Sequence, residues 1–341
     1  MRKIVHILTI LVLFVATSCT HKELCESHSD HAHRFHIKVA SSYRLDWEEN
    51  ITGYCDWSDP NNWSSDYIPY DNLRPKVPAG LRVMNFAPNG NYNIHNIPAE
   101  GGTITLYEGE NDLLFYNNDT EYVVFSRNGA DASTSATTRT ITRATYTGNA
   151  YAEANEMTVN APDMLFANYH EDYISEKTLG PVVYPIELQP LVFTYKIRCE
   201  FAEGLKFVAL ARGALSGMAE SVVLNTGETS AKGATILFDC DMTDFGVRAL
   251  VNSFGIPNYP NLNFNTTRST KHGLTLEFML RNGKIVTFEF NVTDQINAQP
   301  HGGVIVIKDI VIKEEDGVQG SGAFDVEVDD WGEYEDIVLP L

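Results

Sequence analysis

The 341-residue chain contains no G-x-S-x-G, no H-E-x-x-H, no phosphate-binding glycine loop and no C-x-x-C. These absences exclude the nucleophile elbow, the helical zinc-protease site, the P-loop and the dithiol redox motif. "GALSG" sets Ser216 one place away from the elbow pattern, and no other feature supports that role. Cations are scarce as well: 25 Lys and Arg stand against 45 Asp and Glu, a formal net charge of −20. Such a surface repels phosphate backbones, which excludes nucleic acid as a partner. A membrane-spanning helix needs roughly 20 apolar residues. The apolar run from Ile4 to Ala16 is shorter than that.

That run follows Arg2 and Lys3 and ends in Thr17, Ser18 and Cys19. A basic start, a short apolar stretch and small residues are the layout of a secretory signal peptide. Cys19 after Ala-Thr-Ser resembles a bacterial lipobox, with Ala16 where Leu or Val is usual. Residues 1–18 are therefore expected to be cut off as a lipoprotein signal peptide, leaving Cys19 as the acylated first residue. Several acyl chains hold a protein to a membrane stably where one does not. Residues 19–34 read as the lipidated tether. Its "HSDHAHRFH" presents His28, His31, His33 and His36 near His21 and Cys25. Imidazoles so spaced can bind zinc or copper, but a polar tail fixes no ligand geometry. No metal or other cofactor is assigned.

The mature chain reads as all-β. Short Val, Ile, Thr, Phe and Tyr runs recur between Gly, Asn, Asp and Pro clusters. The clearest hairpin is "LTLEFMLRNGKIVTFEFNV". A three-residue loop Arg281-Asn282-Gly283 pairs Phe278 with Val286, Leu276 with Phe288 and Leu274 with Phe290, and puts Gly283 at a left-handed G1-bulge position. "FTYKIRCEF" is a half-buried strand with Cys199 on its core face, and Cys240 is in phase with Ile236 and Phe238. The two thiols read equally as a bridge across the core or as free packed cysteines. "DMTDFGVRALVNSFG" predicts the one short helix, from Val247, Leu250, Val251 and Phe254 at helical spacing. "GADASTSATTRTITRATYTG" predicts an exposed loop. Pro181, Pro185 and Pro190 disfavour a continuous strand across them, so an N-terminal β-sandwich is expected at 35–185 and a C-terminal one, carrying the helix, at 186–341.

The acidic end, Asp309 to Asp336, reads as a solvated face. Of four tryptophans, Trp57 and Trp63 share "CDWSDPNNWSSDY". Exposed rings there could stack on sugars, whereas buried rings at a strand end are the commoner arrangement.

"CTHKELC", Asp46-Trp47, "PAGLRVMNFAPNG", "GGTITLYEGENDLLFYNNDTEYVVF", "MLFANY" and "LQPLVFTYKI" together resemble the Bacteroidales fimbrillin-like lipoproteins, and among them a fimbria-associated family of unknown function related to minor and anchoring subunits. The resemblance implies two transthyretin-like β-sandwich domains and a cell-surface lipoprotein that helps to assemble or anchor fimbriae on the outer membrane. It implies no enzyme, and other fimbrial subunits as partners. Stalk subunits of that group are cut after an arginine and joined by strand addition, in which an incoming strand completes an open sheet. The candidate arginines are Arg34, Arg139 and Arg143. A surface glycan-binding lipoprotein is the alternative, with host or microbial glycans as ligands of Trp57 and Trp63. An exported hydrolase would need a cleft that gathers distant Asp, Glu or His side chains.

Overall fold

A computed structural model describes residues 35–45, 74–127, 133–260 and 271–318. Among them, no helix is long and apolar enough to cross a membrane. Strands dominate. The first group comprises β1 (His36–Tyr43), β2 (Gly80–Phe86), β3 (Tyr92–Pro98), β4 (Gly101–Thr105), β5 (Gly109–Asn117), β6 (Val123–Arg127), β7 (Thr134–Thr138), β8 (Met157–Asn160), β9 (Phe166–Ser175) and β10 (Val182–Pro190). The second comprises β11 (Phe193–Glu203), β12 (Val208–Ala219), β13 (Ser221–Val223), β14 (Gly233–Met242), β15 (Gly246–Ser253), β16 (Gly273–Leu280), β17 (Ile285–Asn291) and β18 (Gly303–Val311). Two short helices, α1 (Thr293–Ala298) and α2 (Glu314–Gly317), flank β18.

The first sheet has the order β3-β2-β5-β9-β10-β1-β4. β9 and β10 pair only at Ala167 with Gln189 and Phe166 with Pro190. Away from that corner the sheet divides into two leaves, β3-β2-β5-β9 and β10-β1-β4. Ile37, Val39, Leu81, Val83, Leu113, Phe115 and Leu188 fill the space between them. Met84, Phe86, Leu114 and Tyr116 point the opposite way and pack with Ala136, Val192, Val222 and Phe254. This second cluster is covered by a three-stranded sheet, β13-β7-β6. The leaf containing β2 and β5 is thus buried on both faces. That is why "LLFY" is a continuous apolar run rather than an alternating one.

The other large sheet runs β17-β16-β12-β14-β15-β11-β18. β14 pairs with β12 through Cys240 and with β15 at Asp241 and Met242, so it turns the corner between two layers. Ile197, Val251, Leu276, Phe278 and Ile305 form the core. The 273–291 hairpin has the expected register, with Phe278 opposite Val286, Leu276 opposite Phe288 and Leu274 opposite Phe290. Gly283 has φ 81°, and its N–H donates to the Leu280 carbonyl at 2.8 Å.

Three expectations are corrected. Residues 246–253 form β15 and not a helix: Val247, Ala249, Val251 and Ser253 are buried in strict alternation, while Leu250 is exposed. β-Branched valines fit the pleat, and pairing with β11 along its length outweighs the weak helical spacing. Of the two short helices in this half, α1 sends Ile296 into the core. The small-residue stretch after Gly129 is not wholly an exposed loop. Its Thr134, Ala136 and Thr138 point inward from β7, and Ile141 and Arg143 are buried beyond it. Pro185 lies within β10 opposite Ala40, so one strand runs through the 185/186 division. The two stretches also interleave: β8 joins β14 in parallel, and β13 joins β7.

Candidate functional site

β1 is seated between two strands that are remote from it in sequence. It lies parallel to β10, with Ile37 opposite Val182 and Tyr43 opposite Leu188, and antiparallel to β4, with Ile37 opposite Ile104. Its alternation is simple. Ile37 and Val39 are buried, and Lys38 between them faces out. Polar side chains fasten its far end: Tyr43 Oη donates to the Ala99 carbonyl at 2.8 Å, Ser42 Oγ donates to Ile186 O at 2.9 Å, and Ser41 Oγ also donates to Ala99 O. Burial raises the Tyr43 phenol to about 12. Arg44 follows immediately, its N–H donating to Leu188 O at 2.9 Å.

The slot is shaped by Gly101. Its φ is +113°, and a Cβ there would stand 2.0 Å from the Val39 carbonyl oxygen. Backbones approach this closely only where one residue has no side chain. β1 is therefore a strand held by ladder bonds and two aliphatic side chains in a channel between β10 and β4. Sequence reasoning missed this element. The alternation of Ile37, Lys38 and Val39 was the available signal.

Arg143 lies in a different place. It is only 8% exposed, and its Nη1 donates to Gly213 O at 3.0 Å and to Glu277 Oε2 at 3.4 Å. Arg212 Nε donates to that same oxygen at 2.8 Å and its Nη2 to Thr145 Oγ1 at 2.5 Å. Arg139 is exposed, although its backbone N–H donates to Tyr122 O and its carbonyl accepts from Asn160 N. Nearby, Ile141 packs with Ala214, Leu237 and Tyr146, so the segment after β7 lies as a strap over β12, β14 and β16.

Cys199 and Cys240 are free thiols that pack into the same core. Burial pushes both thiols well above the usual thiol range, which disfavours the thiolate. Cys19, Arg34, Trp57 and Trp63 lie outside the described residues, as does the acidic end beyond Val318. Among the described residues, no group of three His, Cys, Asp or Glu is placed to hold a metal ion.

Two of the recesses among the described residues lie beside residues named above. One, of about 650 Å³, is lined by residues including Tyr146, Asn149, Glu153, Glu156 and Glu289. Glu156 Oε2 accepts from Gly217 N at 2.9 Å and Thr235 Oγ1 at 2.8 Å, and burial raises its carboxyl pKa. Its carboxylates are accompanied by no lining histidine or cysteine. The other, of about 240 Å³, lies where β10, β11 and the turn after β13 meet, beside Arg44, Phe193, Tyr259 and His301.

Residues 68–239 match the family described as Domain of unknown function (DUF5119). The chain belongs to that family. None of the curated proteins matches it in sequence. Among solved structures, the DUF5119 chain is similar to a candidate adhesin from Bacteroides ovatus, with 18% identity, a TM-score of 0.55, and 85% of this chain and 93% of that one covered. At this identity the likeness is one of fold. A more distant likeness is to the fimbrial anchor protein Mfa2 from Porphyromonas gingivalis, with 10% identity, a TM-score of 0.43, and 80% and 90% of the two chains covered.

Proposed function

We propose that this protein is a non-enzymatic cell-surface lipoprotein that serves as a minor or anchoring subunit of a fimbria and joins its partners by β-strand addition. The observation that carries the reading is β1, an eight-residue strand seated between β10 and β4. A slot that accepts one strand through backbone bonds and two apolar pockets is the structure that strand addition uses. The fold shared with a candidate adhesin supports a role at the cell surface. Cys19 is the acylated anchor, and the outer membrane is the membrane that holds it. Residues 35–185 and 186–341 are taken as the two β-sandwich parts, of the transthyretin-like kind, with β10 running across the division and β8 and β13 each pairing with the other part.

The strand slot refines the choice of processing site. A cut after Arg34 would leave β1 in place, because β1 begins at His36. A cut after Arg44, at the strand's other end, would detach β1 and open the channel. Arg143 is disfavoured by its burial. Arg139 remains exposed.

Mass spectrometry of the amino terminus, on protein taken from intact cells with whatever co-purifies, tests the reading. An acylated Cys19, an unbroken chain and attached fimbrial proteins support an anchor. A terminus just after Arg34 or Arg44, or a nick after Arg139, supports a processed subunit. An intact lipoprotein carrying glycan and no fimbrial protein overturns the fimbrial role in favour of glycan binding through Trp57 and Trp63.

A further inference from the structure

The end of the first sandwich at which β1 begins exposes four aliphatic side chains. Ile174 at the end of β9 is 61% exposed, Leu179 in the connection 74%, and Val182 and Val183 at the start of β10 49% and 61%. Single exposed aliphatics need no explanation, whereas four within ten residues at one tip of a domain call for a partner.

The tip has a fixed neighbour. Val182 is registered opposite Ile37 and Val183 opposite Lys38, so this is the end of the sheet at which the chain enters β1. Phe35, the residue before β1, accepts a hydrogen bond at its carbonyl from Leu106 N at 2.7 Å, and Lys177 Nζ lies 5.6 Å from the centre of its ring. Ser175 Oγ donates to Tyr107 O at 2.6 Å, which joins the β9 end of the tip to the β4–β5 turn. The whole end is therefore one connected surface, and the segment leading to Cys19 leaves from its middle. Residues 20–34 span at most about 50 Å when fully extended, so an acyl anchor on Cys19 keeps this end within reach of a bilayer.

We infer that the Ile174–Val183 tip docks on the lipid surface, its aliphatic side chains entering the headgroup boundary. The inference rests on acylation of Cys19. The anchor supplies attachment and the tip supplies orientation: it turns the first sandwich end-on to the membrane and directs the rest of the molecule outward. Aliphatic side chains at a membrane boundary add a second contact to an acyl anchor. The carboxylates around the tip define the lipid. Glu108 pairs with Lys177 at 3.8 Å, but Glu110, Asp172 and Glu176 remain close by. A surface of that sign is repelled by anionic headgroups, so the partner is a zwitterionic lipid such as phosphatidylethanolamine.

The test uses the full-length acylated chain in phosphatidylethanolamine vesicles that contain brominated acyl chains, which quench nearby indoles. Leu179→Trp is compared with the parent protein and with Leu250→Trp, a control at an exposed position on β15. The expected result is that the emission added by Leu179→Trp falls by more than half in the brominated vesicles, while that added by Leu250→Trp is unchanged. If the protein is acylated and the emission added by Leu179→Trp is not quenched by bromine but is freely quenched by aqueous acrylamide, the docking is overturned and the anchor stands. Emission shielded from both quenchers points to a protein contact, a second copy included, and also overturns it. An unacylated amino terminus, read by mass spectrometry, overturns the anchor and this inference together.

Discussion

Arg143 and Arg212 share a single carboxylate oxygen: Glu277 Oε2 lies 3.4 Å from Arg143 Nη1 and 2.8 Å from Arg212 Nε. All three side chains are almost wholly withdrawn from water. Glu277 comes from β16 and Arg212 from β12, while Arg143 comes from the strap laid across them. The carboxylate thus joins the strap to the sheet.

Removing that carboxylate takes a shared anionic partner from two guanidinium groups in a poorly solvated site. Glu277→Leu is expected to destabilise the protein by about 3–5 kcal/mol, because removing one partner of a buried ion pair costs more than the pair contributed. Urea unfolding measures it. A loss below about 1 kcal/mol would mean that water reaches the cluster freely.

The strap should also resist proteolysis where it is buried. Brief treatment of the native protein with an arginine-specific protease is expected to spare the bond after Arg143 while cutting exposed sites, since cleavage requires local opening. Peptide mapping reads the cut sites. Cleavage after Arg143 at a rate matching that of exposed arginines would contradict its place in the cluster.

Gly101 is expected to tolerate no side chain. Gly101→Ala combines a φ of +113° with a Cβ placed on the Val39 carbonyl, so β1 or β4 must move. A loss of at least about 2 kcal/mol is expected, with faster amide exchange in β1 than elsewhere in the first sheet. Gly283 provides the contrast. Its φ is similarly positive, but nothing lies within 4 Å, so Gly283→Ala should cost only about 1 kcal/mol of backbone strain.

His301 makes stability depend on pH. It stacks on Phe193 with ring centres 4.5 Å apart and meets Tyr259 edge-on at 4.6 Å, and burial lowers its pKa from the usual 6.5. The folded state therefore binds its proton less readily than the unfolded chain. The stability this site contributes is present above pH 6.5 and is lost as pH falls below that value. Thermal unfolding from about pH 7.5 to 5 should show a falling midpoint, and His301→Phe should flatten that part of the curve. An unchanged slope in His301→Phe would assign the effect to other groups.

Local chemistry was legible wherever neighbours in sequence are neighbours in space. The 273–291 hairpin was readable down to its register, because the turn at Arg281-Asn282-Gly283 and the alternation of Leu274, Leu276 and Phe278 demand one pairing. The inward face of Cys199 followed from the same period. Residues 246–253 were misread because a short apolar stretch satisfies two periods at once. Only its pairing with β11 settles which one the backbone adopts.

The candidate site was less legible. β1 draws its partners from β4 and from β10, whose Val182 lies opposite Ile37. Nothing within "HIKVASSY" names either strand. Arg143 likewise reads as a polar residue in a polar stretch until Glu277 arrives from the far side of the chain.

By itself, the sequence determined the all-β class, the net acidity of the chain, and the hairpin whose turn closes over three residues. Hydrophobic period and turn stereochemistry act over such short spans, so those features need no distant partner. The tertiary structure alone decided that β1 fills a slot between strands remote from it, that the strap buries Arg143, and that one end of the first sheet gathers exposed aliphatic side chains beside the start of β1. These depend on which surfaces meet when the sheets pack, and that choice is made by burial summed over the whole chain rather than by any segment of it.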